Sequence, residues 1–115
     1  MKKTIIIAAI ALIVAVSAAF IKPPKRATVS FHVSGNCEQC KDRIENALDK
    51  PGILKAKWDI ASQIVTVTYN PRKLQEIQLH NLVASVGHDT DKVKASERAY
   101  ADLPECCLYR TKPGK

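Results

Sequence analysis

The chain has 115 residues, a formal net charge of +7 and four cysteines. Its basic residues are mixed with acidic ones and form no stripe interleaved with aromatic side chains, which argues against nucleic-acid binding. It offers no general acid/base pair, Ser/His/Asp set or phosphate-cradling glycine loop, so we expect no enzyme.

The N-terminal segment, residues 1–21, has the pattern of an export signal or a membrane anchor. Lys2 and Lys3 precede an apolar run, Ile5–Ile21, that is broken only by Ser17. The run is at the short limit for a bilayer-spanning helix, and small residues before Phe20 suit cleavage, so both interpretations stay open. Residues 22–27 follow as a linker. We expect the remainder to be exported, either periplasmic or anchored to the inner membrane and facing the periplasm.

Residues 28–94 follow a βαββαβ pattern. Alternating apolar residues predict strands and a helical period predicts helices, in the order strand Thr28–Ser34, helix Glu38–Lys50, strands Ile53–Ile60 and Ile64–Tyr69, helix Leu74–Val86, and a weak polar edge strand at His88–Lys94. This order predicts an α+β, ferredoxin-like sandwich with a four-stranded antiparallel sheet and two helices on one face. Residues 95–115 form an extension with a short helix, Ser96–Leu103, for which Ser96 is a candidate N-cap.

The same periodicity assigns individual side chains to the core or the surface. Leu54 and Trp58 are predicted to point inward from the second strand, and Ile77 belongs to the apolar stripe of the second helix. His32 and His80 are predicted to lie on the surface.

Cys37 and Cys40 form a CxxC motif at the junction between the first strand and the first helix. Unpaired N–H groups and the dipole at a helix N-terminus favour thiolates, which are soft ligands for Cu(I) and Zn(II), and by the same logic for Hg(II) and Cd(II). Two protein thiolates leave the ion free to exchange ligands with a partner. They are too few for a closed structural zinc site, which has four ligands. A structural disulfide and a thioredoxin-type redox site remain alternatives.

The motif and its surroundings resemble the heavy-metal-associated domain family. The resemblance covers about Thr28–Lys94 and is carried by Val33-Ser34-Gly35-Asn36-Cys37-Glu38-Gln39-Cys40, Pro51-Gly52-Ile53, Val65-x-Val67 and Val86-Gly87. It implies a metal carrier that passes one soft ion to a metal transporter or another metal-binding protein, and we expect the chain to be a monomer. Its metal ligands would be Cys37 and Cys40, with Cu(I) the favoured ion and Hg(II), Zn(II) or Cd(II) as alternatives.

Two features depart from the family pattern near this motif. Gly35-Asn36-Cys37 is one residue shorter than the usual Gly-Met-x-Cys and lacks the methionine that packs beneath the loop. His88 stands where members often carry Tyr or Phe. We interpret it as an exposed ring filling the aromatic position, or as a third ligand or a pH-sensitive neighbour of the metal.

The extension adds the adjacent pair Cys106-Cys107, followed by Tyr109 as a candidate anchor. Neighbouring cysteines bond to each other only in a strained ring. The pair could instead supply additional ligands to the CxxC site, form disulfides with it, or serve as a separate site or docking element. Two other functions stay open, namely a periplasmic thiol-disulfide oxidoreductase and an interaction module with both cysteine pairs oxidised.

Overall fold

A computed structural model describes residues 23–110 of the chain. The elements are β1 Ala27–His32, α1 Glu38–Ala47, β2 Ile53–Asp59, β3 Ile64–Tyr69, α2 Glu76–Ser85, α3 Glu97–Ala101 and a 3-10 turn, Glu105–Cys107. The predicted signal or anchor at residues 1–21 lies outside the described residues. Within residues 23–110, no helix is long and apolar enough to cross a membrane.

The strands form one antiparallel sheet in the order β1-β3-β2. Val29 is paired with Val67, and Trp58 with Val65, so the alternating apolar residues of neighbouring strands meet on one face. The pairing of β2 with β3 shifts between Ile53 and Lys55. Leu54 lies at this irregularity and is 55% exposed, so the prediction that it points inward is wrong.

The predicted four-stranded sheet is also wrong, because the last segment makes a single bridge and no strand. Val33 bridges to Thr90 in the antiparallel sense, and the Ser34 amide donates to the Asp89 carbonyl over 2.8 Å. The chain then turns, with the Thr90 amide donating to the Val93 carbonyl over 2.8 Å. The described sheet therefore has three strands, although the path of the chain keeps the βαββαβ-type arrangement.

Both long helices bury one face in the same core. Helix α1 contributes Cys40, Ile44 and Ala47, and α2 contributes Leu79, His80, Val83 and Ala84. Two predictions for α2 are wrong: Ile77 is 42% exposed, and His80 is fully buried. The His80 ring stacks on Phe31, with 3.8 Å between centroids, and this contact with β1 explains its burial.

The C-terminal extension packs on the domain and shares its core. The Ala99 amide donates to the Ser96 side chain over 3.1 Å, which confirms the predicted N-cap of α3. Tyr100 and Leu103 are buried in the core cluster. At Gly87, whose φ is +105°, a Cβ would lie 2.7 Å from the Ala99 carbonyl oxygen, so the close approach of α3 requires glycine there.

Candidate metal centre

The cysteines of the CxxC motif meet at the N-terminus of α1. Cys37 is the N-cap residue with an extended backbone, and Cys40 lies in the first turn and is buried. Their sulfurs are 3.2 Å apart. The Asn36 amide donates to the Cys40 sulfur over 3.4 Å, as expected where backbone N–H groups at the start of a helix have no intrahelical partner. The predicted pair of neighbouring thiols is therefore present.

Trp58 supports the loop that carries Cys37. Its indole Nε1 donates to the Val33 carbonyl over 3.0 Å, and its ring lies against Gly35, where a Cβ would be 3.1 Å from the ring. Gln63 donates from its side chain to the Gly35 carbonyl. The sequence predicted Trp58 as a core residue but gave no sign of this role, which places an aromatic ring beneath a loop that lacks methionine.

The adjacent cysteines of the extension lie against the CxxC motif. The Cys106 sulfur is 2.7 Å from that of Cys37, and the Cys107 sulfur is 2.6 Å from that of Cys40 and 3.3 Å from that of Cys37. All four thiols are free. The tail sulfurs therefore approach the CxxC motif, as expected if they supply additional ligands or form disulfides with it, and in this structure they do so as free thiols.

Three sulfurs among residues 23–110 form a compact group of metal-ligand atoms. Those of Cys37, Cys40 and Cys107 all lie within 4.8 Å of one another. His88 is outside this group. Its ring is fully buried, with Nδ1 2.8 Å from the Ser34 carbonyl oxygen, so the interpretation of His88 as an exposed ring is wrong.

The thiols differ in acidity. Partial burial opposes ionisation of Cys37, but hydrogen bonds from the other sulfurs, led by Cys106, outweigh it and lower its pKa to about 7. Burial raises the pKa of Cys40 and of Cys107, and the hydrogen bond to Cys37 raises that of Cys106. At neutral pH, Cys37 is therefore the sulfur that most readily becomes a thiolate.

A latch formed by Tyr109 and Arg110 fastens the tail to the domain. The Tyr109 hydroxyl donates to the Gly87 carbonyl over 2.6 Å and accepts from the Asp89 amide over 2.9 Å. Burial raises the pKa of Tyr109 to about 12, so its hydroxyl keeps the proton that it donates. Arg110 binds both Asp89 carboxylate oxygens, and its Cζ lies 4.4 Å from the centroid of the Tyr100 ring.

Tyr109 thus anchors the tail through its hydroxyl and through its ring, which stacks on His88 with 5.8 Å between centroids. The roles of Asp89 and Arg110 are not predicted from the sequence, since their separation in the chain carries no local signal of an ion pair. Their bonds fix the backbone only a few residues from Cys106 and Cys107. The latch therefore helps to set the positions of the tail sulfurs.

Comparison with known proteins identifies the fold around this site. The family model described as the heavy-metal-associated domain matches residues 30–89. A zinc-transporting ATPase of Synechocystis sp. is 32% identical over 71 residues, which are 60% of this chain and 10% of that protein. The match therefore spans only about a tenth of the ATPase.

The solved structures that share the fold include a CopZ metallochaperone and a P-type ATPase domain. The first is a CopZ metallochaperone, 26% identical with a TM-score of 0.54, and the match covers 56% of this chain and 98% of that one. The second is the N-terminal domain of a potential copper-translocating P-type ATPase from Bacillus subtilis in the Cu(I)-loaded state. It is 31% identical with a TM-score of 0.54, and the match covers 56% of this chain and 84% of that one.

Proposed function

The chain belongs to the heavy-metal-associated domain family, and from this premise we propose that it binds a soft metal ion between Cys37 and Cys40 and transfers it to another protein. The observation that carries the proposal is the 3.2 Å approach of these two sulfurs at the start of α1. Both can turn toward one ion without rearrangement of the helix. The proposed function is binding and transfer of the ion, without catalysis.

The geometry and chemistry of the pair support transfer. Cys40 is fully buried, whereas Cys37 is partly exposed and has the lowered pKa. An incoming thiolate from a partner can reach the ion beside Cys37 while Cys40 still holds it, and stepwise ligand exchange follows. The partner we propose is a metal transporter or another metal-binding protein.

The cargo we propose is a thiophilic ion, with Cu(I) favoured and Zn(II), Hg(II) or Cd(II) as alternatives. Thiolates prefer soft and borderline ions over Mg²⁺ and Ca²⁺, which take oxygen ligands. Two relatives support this range, since one is named a zinc-transporting ATPase and another was solved with Cu(I).

The test is anaerobic native mass spectrometry of the reduced full-length chain with Cu(I), Zn(II) and Hg(II). We expect one ion per chain, and we expect Cys37→Ser and Cys40→Ser each to reduce uptake far more than Cys106→Ser does. Cys106→Ser is the matched control, because it removes an exposed tail thiol of the same chemistry. Unchanged uptake in either CxxC variant would refute the proposed function.

A thiol-disulfide oxidoreductase is the second candidate, and the pKa of about 7 at Cys37 favours it because redox CxxC motifs also use a stabilised thiolate. An insulin-reduction assay separates the two functions. An oxidoreductase reduces insulin with turnover in the presence of a small thiol, whereas a metal carrier does not accelerate the reaction above that thiol alone.

We also propose that the domain acts in the cell envelope, with residues 1–21 as a cleaved signal or a retained anchor. The basis is the lysine pair followed by the apolar run. Fractionation of expressing bacteria and the intact mass of the recovered protein test this proposal. Recovery of the uncleaved protein in the cytoplasm would contradict it.

A further inference from the structure

We infer that Cys107 is a third sulfur ligand, so that the tail converts a two-thiolate site into a three-thiolate one. The inference rests on the proposed function, because it concerns the same ion. The Cys107 sulfur lies 2.6 Å from Cys40 and 3.3 Å from Cys37, and those two are 3.2 Å apart. The three sulfurs thus stand at the corners of a small triangle.

The distances between the three sulfurs can increase to those that a bound metal ion requires. A metal with bonds of about 2.3 Å to sulfur holds its thiolates roughly 3.8 Å apart in a tetrahedral set. The sulfurs of the triangle are closer than this, so an ion seated among them would spread them by about 1 Å, which rotation about the Cα–Cβ bonds provides. The helix and the 3-10 turn need no rearrangement.

The position of Cys107 is fixed by the fold. Cys107 is fully buried, belongs to the core cluster, and its amide donates to the Pro104 carbonyl over 2.8 Å. The latch holds the chain just beyond it, where the Tyr109 hydroxyl spans the Gly87 carbonyl and the Asp89 amide. The entropy of ordering this ligand is therefore lost during folding and not during metal binding, which raises affinity.

Cys106 differs from its neighbour in its exposure and in its position relative to the three sulfurs. It is exposed, its sulfur is 3.9 Å from that of Cys107, and it lies outside the compact group of three. Its thiol donates to the Gln39 side-chain oxygen, with 3.4 Å between sulfur and oxygen. Its sulfur lies 2.7 Å from that of Cys37 on the exposed side of the site, and we assign it no bond to the resting ion, so an incoming ligand can take the fourth position there.

A third thiolate changes which ions the site retains. Three sulfurs with one open position suit Zn(II) and Cd(II), and they also hold Cu(I) in a three-coordinate site. A linear two-thiolate ion would gain nothing from Cys107. The tail therefore slows release until a partner supplies a competing ligand at the open position.

The test is X-ray absorption of the full-length chain loaded with Cd(II) and, separately, with Zn(II), counting sulfur neighbours of the ion. We expect three sulfurs in the wild type and in Cys106→Ser, and two in Cys107→Ser. We also expect Cys107→Ser to weaken Cd(II) affinity at least about tenfold in a chelator competition. The wild-type count needs no variant, so it stands even if Cys107→Ser fails to fold.

The sulfur counts and the variants together decide whether Cys107 is a ligand. Two or four sulfurs in the wild type, or three in a folded Cys107→Ser, would overturn it. If Cys37→Ser and Cys40→Ser reduce uptake while Cys107→Ser keeps the full sulfur count, only the role of Cys107 fails. If the first two variants bind normally, the proposed function itself has failed.

Discussion

The guanidinium of Arg110 binds both carboxylate oxygens of Asp89, at 2.6 and 3.2 Å, and also donates to the Ala95 carbonyl over 2.8 Å. Asp89 follows α2, and Arg110 lies at the end of the described chain, so the pair ties the tail to the segment beside β1. Both side chains are only about a fifth exposed, at 21% and 19%. A paired, partly buried contact of this kind is stronger than a surface ion pair.

Arg110→Ala is expected to loosen the tail without unfolding the sheet. The variant removes hydrogen bonds to a charged group, each worth about 1.5–3 kcal/mol in favourable cases. Hydrogen exchange should therefore accelerate over residues 103–110 and stay slow in β3. Arg98→Ala is the matched control, since it removes an exposed guanidinium from α3. Equal exchange in the two variants would contradict the latch.

The thiol of Cys37 is expected to react with iodoacetamide before the other three in the reduced, metal-free chain. Hydrogen bonds from Cys106 and Cys40 outweigh its partial burial and lower its pKa to about 7. Because only the thiolate reacts, the alkylation rate should be small below pH 7 and rise to a plateau above it.

Peptide mass spectrometry across a pH series gives the rate at each cysteine. Cys106 is the internal control, because it is exposed but its pKa is raised. A Cys37 midpoint close to that of an ordinary thiol would show that the other sulfurs do not stabilise its thiolate.

Trp58→Phe is expected to destabilise the protein and weaken metal binding together. Phenylalanine keeps an aromatic ring against Gly35 but loses the Nε1 donor, which leaves the buried Val33 carbonyl without that hydrogen bond. The expected loss is about 1–3 kcal/mol in the free energy of unfolding, measured by urea denaturation. A fully stable variant with weaker Cu(I) binding would show that Trp58 acts on the loop alone.

Local pattern was sufficient to predict the elements that position Cys37 and Cys40. A strand with period 2, a helix with period 3.6 and the CxxC motif between them are all signals within a dozen or so residues. Leu54 shows the limit of that signal. The irregularity between Ile53 and Lys55 arises from pairing with β3, and alternation within one strand does not reveal it.

The positions of the tail cysteines and of His80 depend on tertiary contacts that the spacing of residues in the sequence does not reveal. Cys40 and Cys107 are 67 positions apart, and the sequence could only leave several roles open for the tail thiols. The sequence predicts His80 on the surface, whereas Phe31 offers it a ring to stack on and Thr90 a hydroxyl oxygen 2.7 Å from Nδ1. Tertiary contacts of this kind outweigh the average preference of a residue type.

The last prediction concerns stability against mild acid, which should depend on His80. Burial lowers its pKa below the ordinary value of 6.5, although the carboxylates of Asp91 and Glu76 oppose the shift. The unfolded chain then binds a proton on His80 at a higher pH than the folded chain does. This contribution to stability is complete above pH 6.5 and is lost as the pH falls toward the lower pKa of the folded state.

Urea denaturation of the reduced, metal-free chain between pH 7 and pH 5 measures this effect. We expect the free energy of unfolding to decrease as the pH falls from 7 to 5 in the wild type, and to decrease less in His80→Gln. Burial also lowers the pKa of His88, so the double variant His80→Gln/His88→Gln should show the weakest dependence. Asp89, whose pKa is lowered mainly by Arg110 against the effect of burial, contributes only at more acidic pH. A wild-type profile that is flat down to pH 5 would therefore mean that His80 is accessible to protons in the folded state, contrary to its complete burial against Phe31.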